Sequence, residues 1–186
     1  MNNMCCKIKS ALAAIVIIFF SQTCLYAQSE DLDTLFKRLQ IVEPTDAPEI
    51  ETKILLEWSK SGSPAMDLLL NRARIALLNE DYDAALKHLN ALTDHAPNFV
   101  EGWSLSAVAL QKLGKTGPAL DSIKRTLAIE PRHFHALTGF AAILEDAGLF
   151  FEAYEVIAIV ATLHPHFEKL DKIRQRLVFK NQGQAL

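Results

Sequence analysis

Three prolines at a constant spacing constrain this chain more than any other feature. Pro97, Pro131 and Pro165 are separated by 34 residues in both intervals (131 − 97 and 165 − 131). Proline interrupts a helix because it lacks the amide hydrogen and its ring clashes with the preceding turn. A fixed period of a few tens of residues indicates a stack of similar units. The spacing therefore predicts a repeat in which each unit ends near a proline.

The small residues repeat in the same register as the prolines. Alignment gives three blocks, residues 66–99, 100–133 and 134–167, with one alanine in each half: Ala73, Ala107 and Ala141, then Ala85, Ala119 and Ala153. One position between the halves holds Glu80, Gly114 and Gly148. Alanine lets two helices approach closely, and glycine can adopt the left-handed conformation that ends a helix. We therefore predict two helices per block, with Asn79 taking the role of the glycine in the first block.

The second block resembles the tetratricopeptide repeat through Trp103, Ala107, Gly114, Ala119 and Pro131. The other two blocks depart from it at the aromatic position, where they carry Leu69 and Leu137. The resemblance covers residues 66–167. It implies an all-α fold: a right-handed superhelical solenoid of three helix-turn-helix repeats with flanking capping helices.

The segments that flank the repeats are predicted to cover the ends of the stack. Residues 28–65 contain two apolar helical patterns separated by a proline-containing linker, which we interpret as a degenerate repeat or an N-terminal cap. Residues 61–64 (Ser-Gly-Ser-Pro) form the predicted hinge. Residues 168–186 place Leu170, Ile173 and Leu177 among lysines and arginines, which predicts a capping helix and a tail.

The first 27 residues have the pattern of a signal peptide. Lys7 and Lys9 precede an apolar run, residues 11–20, and Ala27 offers a small residue for cleavage. The run is shorter than the roughly 20 residues needed to span a bilayer, which favours a cleaved signal over a retained membrane anchor. We therefore expect an exported protein, most simply a periplasmic one, without a membrane span after cleavage.

Removal of this segment changes both the cysteine content and the charge. All three cysteines lie in residues 1–27, so disulfides cannot stabilise the remaining chain. Loss of Lys7 and Lys9 leaves 17 basic residues (19 − 2) against 22 acidic ones, a net charge of −5. A mildly acidic chain without a basic block is not expected to bind nucleic acid.

Residues 28–186 contain no nucleophile elbow, phosphate-binding glycine loop, zinc-protease motif or Cys-x-x-Cys motif. We therefore predict neither enzymatic activity nor a cofactor. His133, His135, His164 and His166 flank loops that a solenoid would stack side by side. They could bind a metal only if they converged on it, and solvated loop histidines are the simpler expectation.

The resemblance implies a concave surface, lined by the first helix of each repeat, that binds an extended peptide or a helix of a partner protein. Family geometry places thirteen residues there: Asp67, Leu70, Arg74, Leu77, Glu101, Ser104, Val108, Gln111, Lys112, His135, Thr138, Ala142 and Glu145. The lysine and asparagine set with which some members clamp a C-terminal carboxylate is not present. Leu70, Leu105 and Gly139 stand at several of its positions.

Two functions follow from these features. The first is an adaptor or scaffold that mediates protein–protein interactions in the cell envelope through the concave surface. The second is a metal- or pH-responsive binding protein that uses the four loop histidines. The identity of a protein partner is not encoded in any motif of the sequence.

Overall fold

The computed structural model describes residues 30–184, apart from the side chain of Gln184, and within this range the chain forms nine α-helices and no strand. In chain order they are α1 (Leu32–Ile41), α2 (Ala47–Trp58), α3 (Pro64–Leu78), α4 (Tyr82–His95), α5 (Val100–Lys112), α6 (Thr116–Ile129), α7 (Phe134–Asp146), α8 (Phe150–Leu163) and α9 (Leu170–Gln184). The all-α class predicted from the repeat is confirmed. The predicted signal segment and its cysteines lie outside the described residues.

Six helices form the three pairs that the blocks predict. Helix α3 packs on α4, α5 on α6 and α7 on α8, and neighbouring pairs stack through α4 with α5 and α6 with α7. The second helices end at His95, Ile129 and Leu163, each two residues before one of the periodic prolines. The proline period therefore marks the end of each helical pair.

The periodic alanines lie where the helices of a pair meet. All six are buried: Ala73, Ala85, Ala107, Ala119, Ala141 and Ala153. A methyl side chain allows the two backbones to approach closely, and a larger one would force the helices apart or into strained rotamers. These positions fix the spacing within each pair, and hence the positions of the first helices that line the concave surface.

The turn within the first pair differs from our prediction. Glu80, rather than Asn79, adopts the left-handed conformation, with φ of 58°, as Gly114 and Gly148 do at 69° and 79°. The backbone hydrogen bonds are the same in all three turns. The amide of the left-handed residue donates to the carbonyl three residues earlier, and the next amide to the carbonyl five residues before it. The shared hydrogen bonding fixes the conformation at this position, so Glu80 adopts it despite its side chain.

The strain at Glu80 leads to a stability prediction. Glu80→Gly is expected to raise the free energy of unfolding by about 1 kcal/mol, because glycine has no Cβ to oppose a positive φ. Urea denaturation followed by circular dichroism measures the change. Asn79→Gly is the matched control, since the φ of Asn79 is −87° and glycine offers no advantage there. Equal stability of the two variants would contradict the assignment of strain to Glu80.

The N-terminal pair occupies a different place from the predicted cap before the first block. Helices α1 and α2 pack on each other, and α1 packs against α8 of the third block. Leu35, Phe36 and Leu39 are buried in one core cluster with Phe134 of α7 and other residues of the third block. The linker of residues 59–63 contains Gly62 with φ of +73°, which lets the chain fold back. The pair therefore lies against the repeats instead of extending the stack.

The first repeat consequently keeps an uncovered face. Leu68, Ile75 and Leu78 of α3 are 49%, 51% and 83% exposed. At the other end α9 packs on α8 and buries Leu170 and Leu177, as expected for a capping helix. None of the helices in residues 30–184 has the length and apolar character needed to cross a membrane.

Candidate partner-binding groove

Six of the thirteen predicted concave residues line a single pocket. They come from the first helices of the three repeats: Arg74 of α3, Glu101, Ser104 and Val108 of α5, and His135 and Thr138 of α7. Leu105 and Leu55 complete the lining, and the pocket has a volume of about 450 Å³. The repeat register therefore brings together residues that are up to 64 positions apart (138 − 74). We call this pocket the groove pocket.

The groove pocket has one apolar wall, and its other walls are polar. Leu55, Leu105 and Val108 form an apolar wall, and Leu55 belongs to α2 of the N-terminal pair rather than to a repeat. Charged and polar side chains line the rest. Concave sites of this composition bind an apolar group and orient it with a few polar contacts.

An ion pair between the buried Glu101 and the partly exposed Arg74 connects the first and second repeats at the groove pocket. Glu101 is 7% exposed, and Nη2 of Arg74 lies 2.9 Å from its Oε1. The same guanidinium nitrogen donates a hydrogen bond to Oγ of Ser59, at 2.7 Å. Burial opposes ionisation of Glu101, but His133 and Arg74 outweigh it and hold the pKa of this carboxyl below its usual value. Glu101 therefore remains ionised, with its charge directed to Arg74.

His133 and His164 are buried, whereas we expected solvated loop histidines. They are 0% and 1% exposed, because α1 and α2 cover the inter-repeat loops. Nδ1 of His133 accepts a hydrogen bond from the amide of Ala136 at 3.2 Å and caps α7. The indole of Trp58 stacks on the His133 ring, with centroids 4.1 Å apart and planes at 14°.

Glu51 of α2 forms the polar contact with the third repeat. Its Oε2 lies 3.1 Å from Nε2 of His164, and its Oε1 lies 3.6 Å from Nε2 of His135. The hydrogen bond to His164 lowers the pKa of Glu51 below its usual value, against the effect of partial burial. Burial lowers the pKa of His135, and the neighbouring His133 acts in the same direction.

The four histidines do not converge on one point. Nε2 of His166 lies 3.0 Å from the carbonyl oxygen of Val42, while His164 faces Glu51 and His133 caps α7. Within residues 30–184 no group of three or more histidine, cysteine, aspartate or glutamate side chains is placed to hold a metal ion. The arrangement gives the metal-binding alternative no support.

The other seven predicted residues lie outside the groove pocket. Leu70 is 3% exposed in the core between α3 and α4, so it cannot contact a partner. Leu77 is half-buried against the same core, and Asp67, Lys112 and Ala142 are exposed. Gln111 donates a hydrogen bond to the carbonyl of Gly139 at 3.0 Å. Glu145 accepts hydrogen bonds from Arg176 and Lys180 of the capping helix α9.

Glu145 joins the third repeat to α9. Arg176 donates to both carboxylate oxygens at 2.8 Å, and Nζ of Lys180 lies 2.8 Å from Oε1. The two hydrogen bonds from Arg176, followed by the one from Lys180, lower the pKa of Glu145 from 4.5 to about 2. A bidentate guanidinium–carboxylate pair is among the stronger surface interactions. Its position makes Glu145 a stabilising contact for α9 rather than a free partner-binding residue.

Glu145→Gln is therefore expected to lower the free energy of unfolding by about 1 kcal/mol at pH 7, a value reduced by solvent screening of the exposed cations. Because the folded pKa is depressed, this contribution is complete above the unfolded pKa of 4.5 and is lost as the pH falls towards about 2. Urea denaturation at several pH values should show a smaller acid-induced loss in the variant. Glu152→Gln, at an exposed site on α8, is the control. Parallel pH curves for Glu145→Gln and the parent would contradict the prediction.

Two residues that line the groove pocket are not among the thirteen predicted ones. Leu55 belongs to α2, whose position depends on the fold-back of the chain. Leu105 lies in the second repeat, at a position that some family members use for the carboxylate clamp. The apolar spacing of Ile50, Ile54 and Trp58 was the one signal that α2 would bury a face, and all three are buried.

Comparison with known proteins supports the fold. No protein-family model matches the chain. A TPR repeat-containing protein of Rhizobium etli is 37% identical over 118 residues, which make up 63% of this chain and 58% of that relative. The chain therefore matches little more than half the length of this relative.

Two solved structures are also similar. The TPR2B domain of yeast Sti1, in a complex with pHsp70, has a TM-score of 0.58 and 19% identity, over 66% of this chain and 99% of that domain. The structure of MamA has a TM-score of 0.46 and 18% identity, over 87% and 84% of the two chains. At these identities the similarity to the Sti1 domain concerns the fold alone.

Proposed function

We propose that this chain, which has the tetratricopeptide repeat fold that its proline spacing predicts, is an exported adaptor that holds a segment of a partner protein in the groove pocket. Tetratricopeptide repeats form scaffolds for protein–protein interaction. The partner would be a protein or peptide, held in the cell envelope. We assign the chain no catalytic role.

The groove pocket is the observation that carries this proposal. Residues of all three first helices line it, so a ligand there contacts the whole repeat array at once. Leu105 and Val108 offer an apolar surface, and Val108 remains 40% exposed. An apolar surface inside a rim of charged groups is the usual composition of a binding site.

The location in the envelope is supported by residues 1–27, where a basic start, an apolar run and Ala27 form the signal pattern. The test is expression of the full chain in a Gram-negative host, followed by cell fractionation and N-terminal sequencing. We expect the protein in the periplasmic fraction with Gln28 as its first residue. Recovery of the uncut chain from the cytoplasm would refute export.

The function of the groove pocket is tested by Val108→Arg. The long charged side chain would fill the apolar wall and place a second cation near Arg74, so we expect at least a tenfold loss of partner captured by crosslinking in the native compartment. Quantitative mass spectrometry of the crosslinked proteins measures the loss.

Ile159→Arg is the matched control for this experiment. Ile159 is a similarly exposed branched residue, at 50%, on α8, and it does not line the groove pocket. Capture should be unchanged in this variant, and circular dichroism should show the same helix content in both. Equal loss of capture in the two variants would reject the groove pocket as the partner site.

A further inference from the structure

Helix α2 of the N-terminal pair borders the groove pocket and covers the adjoining loops of the repeats. Leu55 of α2 forms part of the groove pocket, and Trp58 covers His133. Glu51 pairs with His164 and His135 at the loops before and after the third repeat. One helix of the chain itself thus shows which side chains this surface accepts.

The buried apolar residues of α2 are regularly spaced. Ile50, Ile54 and Trp58 follow one another at intervals of four and are all buried, so they form one apolar stripe. Glu51 follows the first of them and supplies the carboxylate that the two histidines engage. The core that α1 and the third repeat form together therefore holds an amphipathic helix with three large apolar residues and an acidic residue beside the first.

The N-terminal pair makes its charged contacts with the repeats through carboxylates. Two carboxylates of the repeats are already paired, Glu101 with Arg74 at 2.9 Å and Glu130 with Arg132 at 2.9 Å. Both helices of the N-terminal pair in turn present a carboxylate to a basic group of the array. Besides the contact of Glu51, Asp33 of α1 lies 2.7 Å from Nη1 of Arg132.

The docked arrangement leaves polar atoms unsatisfied. Within residues 30–184 the buried side-chain nitrogens and oxygens without a hydrogen-bond partner are Nε1 of Trp58, Nε2 of His133 and Nδ1 of His164. All three belong to residues at the contact between α2 and the repeats. A buried polar atom without a partner costs about 1 to 3 kcal/mol. A ligand that satisfied the two histidine nitrogens would have an advantage over α2, and release of α2 would expose Nε1 of Trp58 to water.

The connection to the first repeat allows α2 to leave. Residues 59–63 form a linker between α2 and α3, and Gly62 has φ of +73°, which glycine adopts without strain. Release of the pair would leave the three stacked pairs α3 to α8 and the capping helix α9 in contact with one another.

We infer that the partner held in the groove is an acidic amphipathic helix of another protein, and that this helix displaces α2. It carries three large apolar residues at intervals of four and a carboxylate directly after the first. This inference rests on the proposed function. The N-terminal pair then acts as an internal competitor. The apparent affinity for the partner falls by the fraction of molecules in which α2 is docked.

A peptide with the sequence of residues 46–60, labelled with fluorescein, is the probe for this competition. Fluorescence anisotropy measures its binding to the full chain without the signal segment. In the protein, Glu51→Lys places a cation against His135 and His164 and weakens docking of α2. We expect this variant to bind the peptide about tenfold more tightly than the parent.

Two matched controls accompany the measurement. Glu49→Lys changes the same charge on α2 at an exposed site that does not contact the repeats, so the protein should bind the peptide as the parent does. A peptide carrying Glu51→Lys should bind the Glu51→Lys protein at least tenfold more weakly than the original peptide. Equal binding by the two protein variants, or by the two peptides, would overturn the inference.

Hydrogen exchange of the parent protein tests the release of α2 without any substitution. Amides of residues 50–58 should exchange through an opening that leaves α5 and α6 protected. Equal protection of α2 and α5 would show that the pair leaves only on global unfolding, and would overturn the inference. Parent dimers that form by exchange of α1 and α2 at rising protein concentration would also overturn it, since the occupant would then be a second copy.

The experiments distinguish failure of this inference from failure of the proposed function. If Val108→Arg abolishes capture of partners while the peptide fails to bind the Glu51→Lys protein, the groove binds a partner of another class and this inference alone fails. If neither Val108→Arg nor Glu51→Lys has its expected effect, the proposed function and this inference both fail.

Discussion

Phe134→Ala is expected to lower the free energy of unfolding by about 3 to 5 kcal/mol. Phe134 is 0% exposed at the start of α7. Its ring contacts five others, with centroid distances of 4.7 Å to His135, 5.1 Å to Trp58, 5.3 Å to His164, 5.8 Å to Phe167 and 6.4 Å to Phe36. Alanine would leave a cavity between the N-terminal pair and the third repeat, which rigid helices cannot close.

The position of this cavity also predicts a change in peptide binding. Because Phe134 contacts both the N-terminal pair and the third repeat, its loss should release α2 as well as lower stability. We expect the Phe134→Ala protein to bind the peptide of residues 46–60 more tightly than the parent. Urea denaturation and fluorescence anisotropy measure the two effects.

Phe140→Ala provides the comparison, since Phe140 lies on the same helix but is only half-buried. We expect it to cost less stability and to leave peptide binding unchanged. A loss below about 1 kcal/mol for Phe134→Ala would contradict the central role of this ring.

The repeat was predictable because it depends on local rules. Proline ends a helix and alanine permits close packing wherever they stand, so Pro131 and Ala119 indicate the same features in any chain. The register then placed Arg74, Glu101 and His135 on one surface, and the structure gathers them in the groove pocket. Leu70 shows the limit of the register, because it faces α4 in the core.

The N-terminal pair was not predictable by the same rules. Apolar spacing in α1 and α2 shows that each helix buries one face, but it does not show what covers that face. The surface that covers each helix depends on contacts between residues far apart in the sequence, such as Glu51 and His164, which are 113 positions apart. The burial of His133 and His164 follows from the same long-range packing, so solvated loops were the wrong expectation for these two side chains.

Glu101→Gln is expected to lower the free energy of unfolding by about 2 kcal/mol. The change is nearly isosteric, so it removes the charge that Arg74 and His133 face without opening a cavity. Loss of one partner from a buried pair costs about 3 to 5 kcal/mol when the other is fully buried, but Arg74 can still reach water. Asp67→Asn is the control at the equivalent position of the first block (67 = 101 − 34), where the side chain is exposed and the change should be nearly neutral.

The pH dependence separates the loss of charge at Glu101 from a change in packing. The folded pKa of Glu101 lies below 4.5, so its stabilising effect is complete above that value and is lost as the pH falls through the folded pKa. The difference in stability between the parent and Glu101→Gln, measured by urea denaturation, should therefore shrink in acid. In an Arg74→Ala background the same substitution should cost less, because the charge would have lost one of its two partners. A cost that stays constant with pH and with Arg74 removed would mean that Glu101 stabilises the groove by shape and not by charge.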